Sequence, residues 1–349
     1  MKPFWIPVHS VFVVSLKIIH NPSTIYGTDL ASRVATILDR GFTLAYGHRE
    51  YCGMGLGLQE EHYCYSEVWD GRFQELQDIL SDNQRCNLAF NQRSDFVAWL
   101  ASQSDISLAG REEADTFYHD NQTVNHKRLM EFLHRFESIK EISLTRWNRL
   151  WQAIPATGDS KSWFGSLMSC YDEEHRHYHT LHHLNDCLME LDSIRCLAQN
   201  PVSLEMALWF HDAIYETETG ADNEGLSADM ARDALEEADA PDAFIRDVCS
   251  LILLTKKHLP DDTPDAALMC DIDLAILGQD KERFQAYENA IRQEYAWVPL
   301  TEYIAGRSRV LESFLSRPKI YATETFQNRY EAEARCNLRA SLERLAAGI

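Results

Sequence analysis

Ser203-Leu-Glu-Met-Ala-Leu-Trp-Phe-His211-Asp212 carries more structural information than any other stretch of this chain. It reads as an amphipathic helix with Ser203 at its N-cap. It ends in a carboxylate directly behind Leu208, Trp209 and Phe210. A carboxylate in such apolar company is paired or coordinates a metal. Helical spacing continues on both sides. Trp147, Leu150, Trp151 and Ile154 stand at i, i+3, i+4, i+7, as do Leu181, Leu184, Leu188 and Leu191, and Val248, Leu251, Ile252 and Thr255. Pro299 opens a helix running through Tyr303, Ile304, Val310, Leu311, Phe314 and Leu315, and a last helix covers about Thr323 to Leu345. No strand alternation is visible after residue 140. The expectation for 141–349 is an all-α bundle.

Residues 1–140 read differently. Phe42–His48, Tyr51–Leu58 and His62–Trp69 are short aromatic-rich runs broken by glycine, the last ending in the turn pair Asp70-Gly71. Ser94 can cap a helix over Asp95–Ser102, and Asn125–Phe136 is a further helix. This predicts a small α+β domain, so the whole chain is α+β and mostly α. Phe4–Ile19 is apolar but interrupted by Pro7, His9 and Lys17. It is too short to span a bilayer, and reads as a first strand or a mis-assigned start rather than an export signal.

The 349 residues carry 33 basic and 54 acidic side chains, a net charge of −21. Up to Arg135 there are 12 basic and 17 acidic residues; after it, 21 and 37. A surface this acidic repels nucleic acid and anionic membranes, so stable binding to either is not expected. Nine scattered cysteines, none spaced C-x-x-C, read as free thiols in a reducing cytoplasm. Gly53-Met-Gly55-Leu-Gly57 lacks the spacing of a dinucleotide loop and reads as strand. Tyr63, Tyr65 and Trp69 read as core and sheet packing.

Three signals carry chemistry. Five of the 14 histidines fall together: His175, His177, His179, His182 and His183. On a helix His175, His179 and His183 would share one face. His211-Asp212 is the second signal. Asp271-Ile-Asp273, embedded between Ala266–Cys270 and Leu274–Leu277, is the third. Two imidazoles and two carboxylates suit manganese, iron, magnesium or zinc, and leave coordination positions open as catalysis requires. Asp271 and Asp273 lie two apart, so a helix points them about 200° from each other and only one can face the ion.

His183, His211-Asp212 and Asp273 follow one another at intervals of 28 and 61 residues. This order resembles the H…HD…D signature of the HD superfamily. The longer stretches Arg176-His-Tyr-His-Thr-Leu-His-His-Leu, Ala207–Tyr215, Asn223-Glu224, Asp271–Gly278 and Gly306-Arg307 with Val310-Leu311 are similar to the bacterial metal-dependent phosphohydrolases of that superfamily. The resemblance covers roughly Trp147 to Leu345. It implies an all-α bundle binding a divalent ion (manganese, magnesium, cobalt or iron) through His183, His211, Asp212 and Asp273. It implies hydrolysis of a phosphate ester or anhydride, most plausibly of a nucleotide. Asp212 would orient the attacking water, with Glu224 or His179 as general base. His258, Asn223, Arg307 and Asp271 would contact the substrate, and Arg317 is a further phosphate candidate against a surface ion pair. Two alternatives stay open: an HD-fold di-iron oxygenase drawing on His179 and His258, and a regulatory module that holds a nucleotide without turnover. Domain 1–140 resembles no named family; a sensor, a substrate lid, or a module for a protein partner or self-association all stay open.

Overall fold

The computed structural model describes residues 13–15, 25–49, 52–69, 72–73, 76–81, 87–108, 133–134, 136–154, 157–173, 175–218 and 220–348. The protein is mostly helical, with one small sheet near its N-terminus. Packing divides it into two compact units: residues 1–149 with 159–169, and residues 150–158 with 170–349.

The first unit holds the sheet. Strand β1 (Val13–Ser15) runs parallel to β2 (Thr43–Arg49) through helix α1 (Gly27–Asp39). β2, β3 (Cys52–Gln59) and β4 (His62–Trp69) form an antiparallel meander. The three aromatic runs are thus the strands expected of them, and the glycines of residues 53–57 lie in β3. Gln59 pairs with His62 across a two-residue turn in which Glu60 and Glu61 take φ of 44° and 69°, the sense that matches strand twist. β5 (Arg72–Phe73) and β6 (Leu88–Phe90) both pair with β4. Helix α2 (Leu76–Ser81) packs Leu76 and Ile79 on Cys64. Helix α3 (Arg93–Ala101) brings Phe96 to 4.9 Å from Tyr63, ring centre to ring centre. In α4 (Asp105–Leu108) the Leu108 carbonyl accepts from the Tyr65 hydroxyl at 2.7 Å. Tyr63 and Tyr65 are therefore core.

Ser94 is not a cap. α3 starts one residue earlier, behind an extended Gln92, and the Ser94 hydroxyl donates to Asp95. The turn at Asp70-Gly71 and most of Phe4–Ile19 lie outside the described residues. Of the helix expected over Asn125–Phe136, residues 133, 134 and 136 are described, and they are helical.

The packing boundary falls later than residue 140. The Arg40 guanidinium donates to the carbonyls of Phe136, Ile139 and Ile142, and the Leu144 N–H returns to the Arg40 carbonyl at 2.8 Å. Phe42 meets Phe136 edge-on at 4.7 Å. The start of α5 (Leu144–Gln152) is thereby tied to the sheet-bearing unit. The same holds for α6 (Ser160–Tyr171), whose Ser160 carbonyl accepts from the Trp147 indole at 2.6 Å.

The second unit contains helices and no strand among its described residues. They are α7 (Leu181–Ile194), α8 (Pro201–Phe210), α9 (Asn223–Glu237), α10 (Asp242–Leu254), α11 (Pro264–Asp273), α12 (Lys281–Glu294), α13 (Leu300–Leu315) and α14 (Glu324–Ala346). Leu181, Leu184, Leu188 and Leu191 are fully buried, and every α8 residue from Ser203 to Phe210 is buried. A helix buried on every side sits in the centre of its unit, and its one charged residue, Glu205, is paired with Arg195. Its N-cap is Asn200, whose side chain accepts from the Ser203 N–H, with Pro201 at the first helical position; Ser203 lies one turn inside. α11 ends in a 3₁₀ turn, Leu274–Gly278, that packs on α14. A Cβ on Gly278 would lie 2.4 Å from that of Tyr330, so glycine is required there. No helix among the described residues is long and apolar enough to cross a membrane.

Candidate metal centre

Three helix ends deliver the site. His183 lies in the first turn of α7, His211 and Asp212 follow the last residue of α8, and Asp273 closes α11. The His183 and His211 Nε2 atoms stand 3.1 Å apart. Asp212 Oδ2 lies 3.1 Å from His211 Nε2 and 3.4 Å from His183 Nε2. Asp273 Oδ1 lies 3.1 Å from His183 Nε2 and 3.6 Å from His211 Nε2. Donors about 2.1 Å from one ion are about 3.0–3.4 Å from each other at octahedral or tetrahedral angles. Four of these five separations fall in that range and the fifth, 3.6 Å, lies just beyond it, the spacing of side chains gathered around one ion position. The His211 Nδ1 sits 2.8 Å from the Leu208 carbonyl, which accepts its proton and leaves the Nε2 lone pair on the cluster.

The electrostatics favour a cation at this point. Burial pushes the Asp212 carboxyl up, but His211, His179 and His183 outweigh it and hold it well below the usual range. Asp273 is lowered in the same way, with His183, His211 and His258 overcoming its burial. Burial pushes the His183 imidazole down, yet Cys187, Tyr178 and the two carboxylates hold it well above the ordinary value. His211 is raised by Asp212 and Tyr171 against its burial. Two half-buried carboxylates side by side demand positive charge, and a metal ion supplies what the imidazole protons otherwise would.

A second layer of contacts locks these parts. His175, His179 and His183 do not share a helix face. α7 begins only at Leu181, capped by Thr180, and His182 is exposed. The backbone N–H groups of His177, Tyr178 and His179 instead donate to one oxygen of Glu294, at 2.8, 2.7 and 3.0 Å. Glu294 is 4% exposed, and its other oxygen takes the His179 Nδ1 at 2.8 Å and the Tyr215 hydroxyl at 3.1 Å. Burial pushes this carboxyl up; the His179 ring and the backbone donors of His177 and His179 bring it down to about 2. The buried Arg176 donates to the carbonyls of Asp212 at 2.6 Å and Ala213 at 2.8 Å, fixing the His-Asp turn.

No family model, no curated protein and no solved structure matches this chain. The candidate site therefore rests on its own geometry and on the quoted motifs.

A cleft of about 550 Å³ opens beside the cluster, with Asp212, Asp273, His179 and His258 on its wall. His258 takes φ of 48° just beyond α10 and places Nε2 2.8 Å from Asp273 Oδ2, the oxygen turned away from His183. Glu224 lines the cleft from the first turn of α9. Asn223 borders it too, but its amide is engaged twice by the backbone of Glu216, at 3.0 Å each way, as a clasp on the preceding loop. Arg307 reaches the wall from α13 while paired with the buried Glu288 and the Tyr287 hydroxyl. Arg317 donates to the carbonyls of Lys257 and His258 at 2.9 and 2.8 Å, holding the turn that follows α10 rather than forming a surface ion pair. Asp271 does not reach the cleft. It is 1% exposed and accepts from the Ala322 and Thr323 N–H groups at 2.7 Å each, where α14 begins. The expectation that it contacts substrate is corrected: divergence from Asp273 sends it to a helix cap.

Sequence reasoning missed Cys187 and Glu294. Cys187 stands one helical turn after His183 and joins His183, His211 and Asp273 in a group whose ligand atoms lie within 4.8 Å of one another. That i, i+4 spacing was readable. Glu294 is more than a hundred residues from the histidines that it holds, and nothing local marks it.

Proposed function

We propose that the helical unit is a metal-dependent phosphohydrolase of the HD type, acting on a phosphorylated small molecule of the nucleotide class. The observation that carries this is the convergence of His183, His211, Asp212 and Asp273 at coordination spacing on the wall of an open cleft. Lys256, Lys257 and Arg307 line the same cleft; Lys256 is paired with Asp222 and Arg307 with Glu288, which leaves Lys257 as the cation best placed to meet a phosphate. Tyr287, Tyr295 and Phe314 add aromatic wall for a base.

A divalent ion bound there supplies a water of lowered pKa and cancels charge on phosphate oxygens. The chain's residues do the rest. Arg176 and the Leu208 carbonyl hold the His-Asp turn rigid. Glu294, ionised, keeps the His179 proton on Nδ1 and leaves Nε2 as the ring atom that exchanges a proton with substrate or water. Glu224 is the other candidate base.

The test is release of phosphate or pyrophosphate from a panel of nucleotides and simple phosphoesters with manganese, magnesium, cobalt or iron. Wild type is expected to release it only with metal, and Asp212→Ala to lose at least about a hundredfold, the loss of a water-orienting and metal-holding group. Folded protein inactive with every metal would overturn the hydrolase.

One observation favours a second reading. Asp273 presents one oxygen to His183 and the other to His258, as a carboxylate shared between two ions would. Two irons held there and able to change oxidation state would permit oxygen activation, the oxygenase reading. Oxygen uptake with iron, and no phosphate release with manganese, would select that reading.

A further inference from the structure

We infer that a pocket between α12, α13 and α14 is a second ligand site of the helical unit, taking a small organic anion: one carboxylate or phosphate-like group on an apolar body. No residue lines both this pocket and the cleft beside the metal cluster. The site is therefore separate from the one proposed above.

Three helix faces build it. α12 contributes Glu288 and Arg292, α13 contributes Leu300, Tyr303 and Ile304, and α14 contributes Ser341, Arg344 and Leu345. Each set is spaced i, i+3 or i+4, which is one side of a helix. The pocket holds about 210 Å³, the liquid volume of about seven waters. The cleft, at about 550 Å³, is more than twice as large.

Charge is out of balance here. Among the described residues of the helical unit, the buried or half-buried Arg176, Arg195, Arg232, Arg307 and Arg335 each pair with a carboxylate. Arg292 and Arg344 do not. Arg292 gives two N–H groups to the carbonyls of Tyr295 and Val298 and lies over the Tyr303 ring at 4.7 Å. Arg344 has less: its Nη2 is buried without a hydrogen-bond partner. A shielded charged donor without an acceptor carries a desolvation penalty that a bound anion would offset.

The one carboxylate in the lining is not available to either arginine. Glu288 is engaged at both oxygens, by Arg307 and by the Ser341 hydroxyl at 2.5 Å. In a chain of 54 acidic and 33 basic side chains, two arginines lining one pocket without an acid of their own favour an anion from solution. Guanidinium takes carboxylate or phosphate oxygens through paired N–H groups. Leu300, Ile304 and Leu345 would meet the apolar body.

The experiment measures binding of benzoate, phenylphosphonate and inorganic phosphate to the full-length chain by calorimetry. The first two separate a carboxylate from a phosphate-like head, and the third lacks the apolar body. The expected result is one benzoate or phenylphosphonate per chain. Its affinity should fall at least about tenfold in Arg344→Gln, survive in Arg344→Lys and stay unchanged in Lys257→Gln, which alters the cleft alone. Ile304→Trp fills the pocket from α13, should abolish binding, and serves if Arg344→Gln does not fold. Neither organic anion bound by wild type, or equal binding by Arg344→Gln, would overturn the site. Binding lost in Lys257→Gln and kept in Arg344→Gln would put the anion in the cleft and overturn it as well. Inorganic phosphate bound as tightly as the organic anions, with the same dependence on Arg344, would overturn the organic ligand class.

Discussion

Among the described residues, the sheet-bearing unit buries Phe42, Phe96 and Leu100 with uncharged polar groups such as Thr43, Ser66 and Asn87. The helical unit buries Arg176, His183, His211, Asp271, Glu288 and Glu294. A buried charge costs stability unless it is paired and hydrogen-bonded, so a chain keeps many of them where they position something. In the helical unit each is engaged: Glu294 with three backbone N–H groups and His179, Arg176 with the carbonyls of the His-Asp turn, Asp271 with the start of α14. One unit is held by packing and the other by packing around a polar frame. Departures from an apolar core mark the functional part.

The largest expected effect tests the apolar side of that contrast. Phe96→Ala removes a fully buried ring stacked on Tyr63 and is expected to cost about 4 kcal/mol. Denaturant titration should show the loss, while bound metal stays at the wild-type level. A fall in metal content would break the separation drawn between the units.

Next comes the acid limb of the helical unit. Glu294 is held at about 2, below its ordinary 4.5. A depressed carboxyl contributes stability that is complete above the unfolded value and lost as pH falls toward the folded one. That contribution is about 3 kcal/mol, lost between about pH 4.5 and 2. Glu294→Gln should flatten that limb of the stability profile; an unchanged limb would show that Glu294 does not carry it.

Asp271→Asn sharpens the comparison within a single helix. It weakens two backbone contacts and should cost about 2 kcal/mol of stability with metal stoichiometry intact, where Asp273→Asn should lose the metal. If both variants lose metal equally, the cap assignment is wrong. The smallest pair concerns caps. Thr180→Ala removes a side-chain acceptor at the start of α7 and should cost about 1 kcal/mol. Ser94→Ala removes none and should stay within about 0.5 kcal/mol.

Much of the site was legible before the structure. Asp212 behind Leu208, Trp209 and Phe210, and Asp273 before Leu274, are carboxylates whose neighbours announce burial. The two-residue spacing of Asp271 and Asp273 announced that they diverge. The histidine run was misread at one point. Its i, i+4 spacing suggests a continuous helix, but Glu294 takes the N–H groups of His177 to His179 and Thr180 starts the helix afresh. Asn223 and Arg317 were recognisable as polar groups near the site, but not as clasps on the loop before α9 and the turn after α10.

The sequence alone determined the three aromatic strands and the helices with a clear apolar stripe, such as Leu181–Leu191, because apolar period is a local property set by backbone geometry. It also determined that His183, His211, Asp212 and Asp273 are out of place unless they meet. Only the tertiary structure decided what else meets them: Glu294, His258 and Cys187, and which aspartate caps a helix instead. Those partners are chosen by how helices stack. A carboxylate more than a hundred residues away leaves no periodic trace, since its pairing is fixed by packing and by the cost of leaving buried polar groups unsatisfied.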